Sequence, residues 1–370
     1  MKRRFVPVML LVLLAGCAGG SKGPRPVNPD ATPLTVSVLQ HLEKVRHEKV
    51  LFGHQDDLAY GVTWKAEAGR SDVNETAGAY PAVFGWEIGD LERDSTYNLD
   101  RVVFTDMQRW IKEAHALGGI NTISWHMDNP ATDGSSWDTV RAVPVILPGG
   151  AKHAQFLSWL DRFAAFNEAL VDEKGRAIPV IFRPWHENTG GWFWWGRTHC
   201  SPEEYKALYR FTFDYLTNVK KQHNLLWAWS PAEKHLDEFE QWYPGNDVVD
   251  IIGVDDYGSW YRENAVETMS ANLRTLVERA EARGKIPVLA ETGFEALKEE
   301  RWFTEKLLAA LKADPAAKRI AYVLVWRNAN AATDRPDHFY APYAGHASEA
   351  DFKAFRNDPL LFFAGDGPLF

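Results

Sequence analysis

Cysteine is nearly missing: the 370 residues hold two, Cys17 and Cys200. The first falls in a targeting segment, so Cys200 has no partner for an intrachain disulfide. A lone thiol after an aromatic run reads as a small packed hydrophobe. Runs of Lys and Arg are missing beyond the first few residues, and the formal net charge is −9. That argues against a nucleic-acid partner, since phosphate contacts need a basic patch. Long apolar runs are missing too, since residues 6–14 are too few to span a bilayer. The first strand-like run is followed by Gly53-His54-Gln55-Asp56-Asp57. This is not a glycine-rich phosphate loop, which counts against a doubly wound dinucleotide fold. No Gly-x-Ser-x-Gly elbow sits between a strand and a helix. The first strand lacks a His-x-His pair, so no metal or other cofactor is expected.

Tryptophan is abundant instead, with 16 in the chain. That is more than a core requires, and it suggests a groove lined with flat apolar faces of the kind that hold sugar rings. The remaining composition, 45% hydrophobic and 25% charged, is that of an ordinary globular chain with plenty to bury. Lys2, Arg3 and Arg4, the apolar run 6–14 and Leu14-Ala15-Gly16-Cys17 resemble a bacterial lipoprotein signal. Residues 1–17 would be the leader and Cys17 the lipidated mature N-terminus; a plain cleaved signal or a short anchor are the alternatives. The protein is then expected in the bacterial cell envelope, tied to a membrane by its N-terminal lipid alone. Residues 18–34, rich in Gly, Ser, Pro and Asn, read as a flexible tether. The domain, 35–370, begins where Val36, Leu39, Leu42 and Val45 recur at helical spacing.

Apolar strand candidates follow at 50–53, 82–86, 120–125, 178–182, 225–229, 251–254, 288–290 and 320–325. Helical patterns lie between most of them, at 104–117, 154–170, 202–220, 269–283 and 301–311. Eight strands alternating with helices predict an α/β fold, a (β/α)8 TIM barrel forming one catalytic domain. The strand ends support this. Strand after strand is apolar and then turns polar or aromatic: His54 to Asp57, Trp86 and Glu87, Trp125 to Asp128, Arg183 to Glu187, Trp229, Asp255 to Tyr257, Glu291, and Trp326 to Asn328. A barrel brings such ends to one face. Glycoside hydrolysis needs two carboxyl groups across one bond. Glu187 and Glu291 each end a strongly apolar strand, and on strands four and seven they would face each other. Glu87 reads as a structural partner rather than a third acid. Asp255 and Asp256 read as caps of the next segment or as groups that orient Tyr257 and Arg183. Trp194 and Trp195 are equally well loop core.

Five motifs carry a family resemblance: His54-Gln55-Asp56-Asp57; Arg183-Pro184-Trp185-His186-Glu187-Asn188-Thr189-Gly190-Gly191-Trp192-Phe193-Trp194-Trp195-Gly196; Val254-Asp255-Asp256-Tyr257; Leu289-Ala290-Glu291-Thr292-Gly293; and Val325-Trp326-Arg327-Asn328. Together they resemble glycoside hydrolase family 26, which is dominated by β-mannanases. The resemblance implies that Glu187 is the general acid/base and Glu291 the nucleophile. It implies that His186 helps bind sugar at the cleavage point, that Tyr257 touches the nucleophile, and that Trp192 and Trp326 are sugar platforms. His126 and Arg183 would be further site residues.

The expected activity is retaining hydrolysis of β-1,4-mannosidic bonds in mannan, galactomannan or manno-oligosaccharides, by a monomer without cofactor. Mixed-linkage glucan or xylan is the alternative substrate, and a lipid-anchored glycan-binding protein without turnover is the alternative class. The 128–148 loop with Trp137, and Trp260 and Tyr261 after strand six, are candidate walls and platforms that would decide between internal and chain-end attack.

Overall fold

The computed structural model describes residues 23–368. The targeting segment with Cys17, and the first part of the tether, lie outside the described residues. Eight parallel strands follow one another round the sheet: β1 (Val50–Gln55), β2 (Val83–Glu87), β3 (Ile120–Ser124), β4 (Val180–Arg183), β5 (Leu225–Trp229), β6 (Ile251–Asp256), β7 (Ile286–Thr292) and β8 (Tyr322–Val325). β8 pairs back onto β1, Leu51 opposite Tyr322 and His54 opposite Val325, which closes the (β/α)8 barrel. β4 starts two residues later than its apolar run, since Pro179 has no N–H to give a ladder. The helices Phe104–Ala116, His153–Glu168, Pro202–Asp214 and Ala265–Glu281 ring the outside. The predicted helix at 202–220 ends its α geometry at Asp214 and finishes as a π-turn, Tyr215–Val219.

Strand residues alternate between two cores, as the period of two demands. Leu51, Val83, Ile181, Leu226, Ala228, Ile251, Val288 and Leu324 point into the barrel and share a cluster with Val38, Leu39, Leu42 and Val45 of the helix Pro33–Val45. That helix plugs the floor. Phe52, Phe84, Ile123, Phe182, Trp227, Ile252 and Val254 face outward into the helix layer. The interior is narrow: a Cβ on Gly253 would come within 2.9 Å of the Ala290 Cβ.

Two expectations change here. The tether is shorter than 18–34. The Val27 N–H donates to Asp250 (2.7 Å), Asn28 is buried beside His223, and the Thr32 N–H donates to the His223 carbonyl (2.9 Å). Thr32 then caps a helix that opens on Pro33, where a missing N–H costs nothing. The tryptophan excess also belongs mostly to the core. Thirteen of the sixteen are buried, including Trp194, Trp195 and the candidate platform Trp260, whose Nε1 donates to Thr292 Oγ1 (2.7 Å).

β7 breaks the alternation. Val254 pairs with Leu289 but Asp255 pairs with Glu291; on the other side Val323 pairs with Leu289 but Val325 with Thr292. One extra residue, a bulge at Ala290, is visible from both neighbours. Ile286, Val288 and Ala290 point inward, so strict alternation would turn Glu291 outward. The bulge re-aims it into the mouth.

Candidate active site

The mouth is built from the last inward-facing residue of each strand and the loop beyond it. On β4 that residue is Arg183, buried to 3% exposure. Its Nη1 donates to Asp255 Oδ2 (2.8 Å) and Ser230 Oγ (3.0 Å), and its Nη2 donates to Glu291. The chain then enters the left-handed region twice, at Trp185 (φ 56°) and Glu187 (φ 55°). Such backbone in non-glycine residues persists only where the surroundings over-determine it, and here they do. Tyr205 OH donates to the Trp185 carbonyl, Trp195 Nε1 to the His186 carbonyl (2.8 Å), and the Glu187 N–H to the Ser230 carbonyl (2.7 Å). Trp185, Trp194 and Trp195 are therefore the mould that presents Glu187, not the sugar surface itself.

One carboxylate oxygen from each of Glu187, Asp255 and Glu291 lies within 4.8 Å of the other two. Three carboxylates so close could share a cation, and the Arg183 guanidinium already supplies that charge to two of them. Burial and the neighbouring charge of Glu291 push the Glu187 carboxyl up to about 7, against the pull of the Trp192 indole N–H, which donates to Glu187 Oε2 (2.6 Å). Glu291 instead receives Arg183 on Oε1 and the Tyr257 hydroxyl on Oε2 (3.0 Å).

His126, past β3, lines the cleft and is bonded to Glu87 through both its ring Nδ1 and its backbone N–H (2.8 Å each). His186 lies behind it, buried to 1% exposure, with the two Nε2 atoms 3.3 Å apart. Arg183 and His186, expected at the substrate, are thus placed behind the cleft surface, in contact with the groups that line it. Asp255 orients Arg183, whereas Asp256 faces outward and holds Ser259 and Asn272. The strand-one motif is buried and internally paired, His54 with Asp57 (2.7 Å) and Asp56 with Tyr60 (2.6 Å). Burial pushes the Cys200 thiol up to about 12, so it is inert.

The open cleft has a volume of about 340 Å³. Its walls carry Glu187, Glu291, Tyr257, His126 and the three tryptophans that are not buried: Trp137, Trp192 and Trp326. Tyr261, 66% exposed, joins them, and Trp137, 51% exposed, stacks on His126 with ring centres 5.2 Å apart. The sequence reading missed Tyr340, Arg335 and His338, which reach the cleft from the long loop after β8. One signal pointed there. Gly293 has φ 149°, and a Cβ on it would stand 2.3 Å from the Tyr340 ring, so the glycine after Glu291-Thr292 makes room for Tyr340.

A family model described as glycosyl hydrolase family 26 matches residues 27–323. The chain belongs to that family. A mannan endo-1,4-beta-mannosidase of Bifidobacterium adolescentis is 35% identical over 352 residues, which cover 89% of this chain but 34% of that longer protein. The chain therefore spans about a third of that relative. A mannan endo-1,4-beta-mannosidase of Bacillus subtilis is 29% identical, over 70% of this chain and 74% of its own. Among solved structures, a GH26 beta-mannanase from Bacteroides ovatus superimposes with a TM-score of 0.87 at 40% identity, covering 92% of this chain and 97% of that one. An endo-beta-1,4-mannanase from Cellulomonas fimi follows with a TM-score of 0.84 at 37% identity, covering 93% and 78%.

Proposed function

We propose that this family 26 enzyme is a retaining β-mannanase, hydrolysing β-1,4-mannosidic bonds in mannan, galactomannan or manno-oligosaccharides by double displacement. The spacing of Glu187 and Glu291 carries this reading. One oxygen of each lies within 4.8 Å of one oxygen of the other, which suits the closer carboxyl pairs of retaining enzymes, about 5–5.5 Å apart, rather than inverting pairs, which must admit a water and stand about 6.5–9.5 Å apart. Glu187, held up to about 7 by burial and by Glu291, is the proton donor. The two donors on Glu291 suit a carboxylate that attacks. Glu291 displaces the leaving sugar from the anomeric carbon while Glu187 protonates the departing oxygen. Glu187 then takes a proton from a water that attacks the glycosyl-enzyme, which frees the sugar and restores Glu291. Tyr257 steadies Glu291, Trp192 and Trp326 offer ring faces to the sugars, and Arg183 and His186 act from behind the cleft wall.

The test of retention is proton NMR of the first product from linear β-1,4-mannan. The β-anomer is expected before mutarotation; the α-anomer first would sink the double displacement. The same early digest reads the mode of attack: disaccharide alone means a cleft closed at one end, a ladder means an open one. Turnover of mixed-linkage glucan or xylan but not mannan would keep the mechanism and replace the substrate. No turnover of any of them would leave a glycan-binding protein.

Lipid attachment at Cys17 in the cell envelope, by a monomer, is the second part of the proposal. It is supported by Leu14-Ala15-Gly16-Cys17 and by the chain reaching the barrel at the floor, beside Asp250 and His223, opposite the cleft. Fatty-acid labelling in cells that is lost in Cys17→Ser tests the lipid, and sedimentation of the purified protein tests the monomer.

A further inference from the structure

Glu87 is wholly buried at the inward end of β2 and accepts on both oxygens. Oε1 takes the N–H of Gly89 (2.6 Å) and of His126 (2.8 Å); Oε2 takes the Ser124 hydroxyl and the His126 Nδ1 (2.8 Å each). A carboxylate in that position requires the hydrogen on His126 Nδ1. The ring's other nitrogen is 3.3 Å from the Nε2 of His186, so a single proton lies between two nitrogens. If it belongs to His126, that ring is an imidazolium and His186 a neutral acceptor. If it belongs to His186, both rings are neutral. The His186 Nδ1 is buried without a hydrogen-bond partner among the described residues.

The surroundings decide between the two. His126 faces Glu87 from β2, Asp100 from the loop after β2, Glu187 beyond β4 and Glu291 on β7, all acidic. His186 faces Arg183 and His126 itself. Burial opposes charge on both rings. For His126 the surrounding carboxylates more than offset it and hold the imidazole above its usual range, while burial with Arg183 and His126 holds His186 well below.

We propose that Glu87 is a positioning residue: by fixing His126 as an Nδ1–H donor it places the shared proton on His126, and the resulting buried positive charge on the cleft wall sets the pH at which Glu187 gives up its proton. A positive charge favours the ionised form of Glu187, so it moves the alkaline limb of the activity profile toward lower pH. The kinetic consequence rests on the retaining-hydrolase reading; the protonation state does not.

Nitrogen-15 NMR of histidine-labelled wild-type enzyme at pH 6.5 reads the protonation state without any substitution. The expected spectrum has both His126 nitrogens protonated and His186 neutral. Two neutral rings would overturn the proposal, whatever the substrate. In Glu87→Gln the alkaline limb of the kcat/KM profile is expected to move up by about 0.5–1 pH unit, less than the roughly 1–3 units of a charge in direct contact. His126→Gln, which keeps a donor for Glu87 but carries no charge, is expected to move it the same way and covers the case in which Glu87→Gln does not fold. Lower kcat with the alkaline limb unmoved in these variants would reduce Glu87 to structural support and overturn the proposal.

Discussion

At the floor of the barrel Leu51, Ile181, Leu226 and Ile251 meet Val38, Leu39 and Leu42 of the plugging helix. At the mouth, two to four residues further along the same inward-facing rows, stand Glu87, Arg183 and Asp255. The same alternation carries both sets inward, yet the two ends are stable for different reasons. Apolar side chains at the floor need only be buried. Charges at the mouth can be buried only because each is answered, Arg183 by Asp255 and Glu291, and Glu87 by four donors. Chemistry is thus confined to the end where partners had to be built, and that end also holds two departures from regular geometry, the β7 bulge and the left-handed Trp185 and Glu187.

Breaking the mouth should abolish turnover before it unfolds the protein. Glu291→Ala is expected to lower kcat on mannan on the order of 10⁴-fold or more in protein that is still folded; residual activity within a hundredfold of wild type would remove Glu291 from the chemistry. Glu187→Gln comes next, at roughly 10²–10⁴-fold for a general acid. It should spare substrates whose leaving group needs no proton, and an equal loss on an activated aryl glycoside would argue against the assignment.

Arg183→Met separates the two ends through stability. It leaves Asp255 and Glu291 without their cation in a buried site, so a loss of about 3–5 kcal/mol is expected by denaturant titration; a change under 1 kcal/mol would mean that the mouth is less dry than its burial implies. Leu226→Ala at the floor should cost about 2–5 kcal/mol yet leave kcat unchanged below the melting temperature, and a matching fall in kcat would show that the two ends are coupled.

The smallest effect is a pH shift. Glu187 must be protonated to act, so activity should fall as pH rises through about 7. The Trp192 indole N–H stabilises the charged form. Trp192→Phe removes that donor and should raise the alkaline limb by a fraction of a pH unit; a limb that moves down would reverse the role given to the indole.

Much of this was legible in the chain. Apolar runs that end in charged or aromatic residues placed all eight strands and the face on which their ends gather, because strand period and barrel closure leave few alternatives. The motif around Glu187 was legible as a site for the same reason: an apolar strand has no other use for Arg, His and Glu in five residues. The fate of the tryptophans was not. Composition counts indoles but says nothing of what they pack against, and thirteen of them are buried in the core. Nor was Tyr340, which arrives from a loop without periodicity.

The sequence by itself determined the barrel, the floor, the acidic character of the mouth and the pair of glutamates, since these follow from local pattern and from the chemistry of the residues present. Tertiary structure decided which way the decisive groups face. Strict alternation would have turned Glu291 into the helix layer, and only the extra residue at Ala290, fixed by pairing with both β6 and β8, brings it opposite Glu187. It also decided that His186 stands behind His126 rather than in the cleft. Register and shielding are properties of neighbours brought together by closure of the sheet, and no single strand contains them.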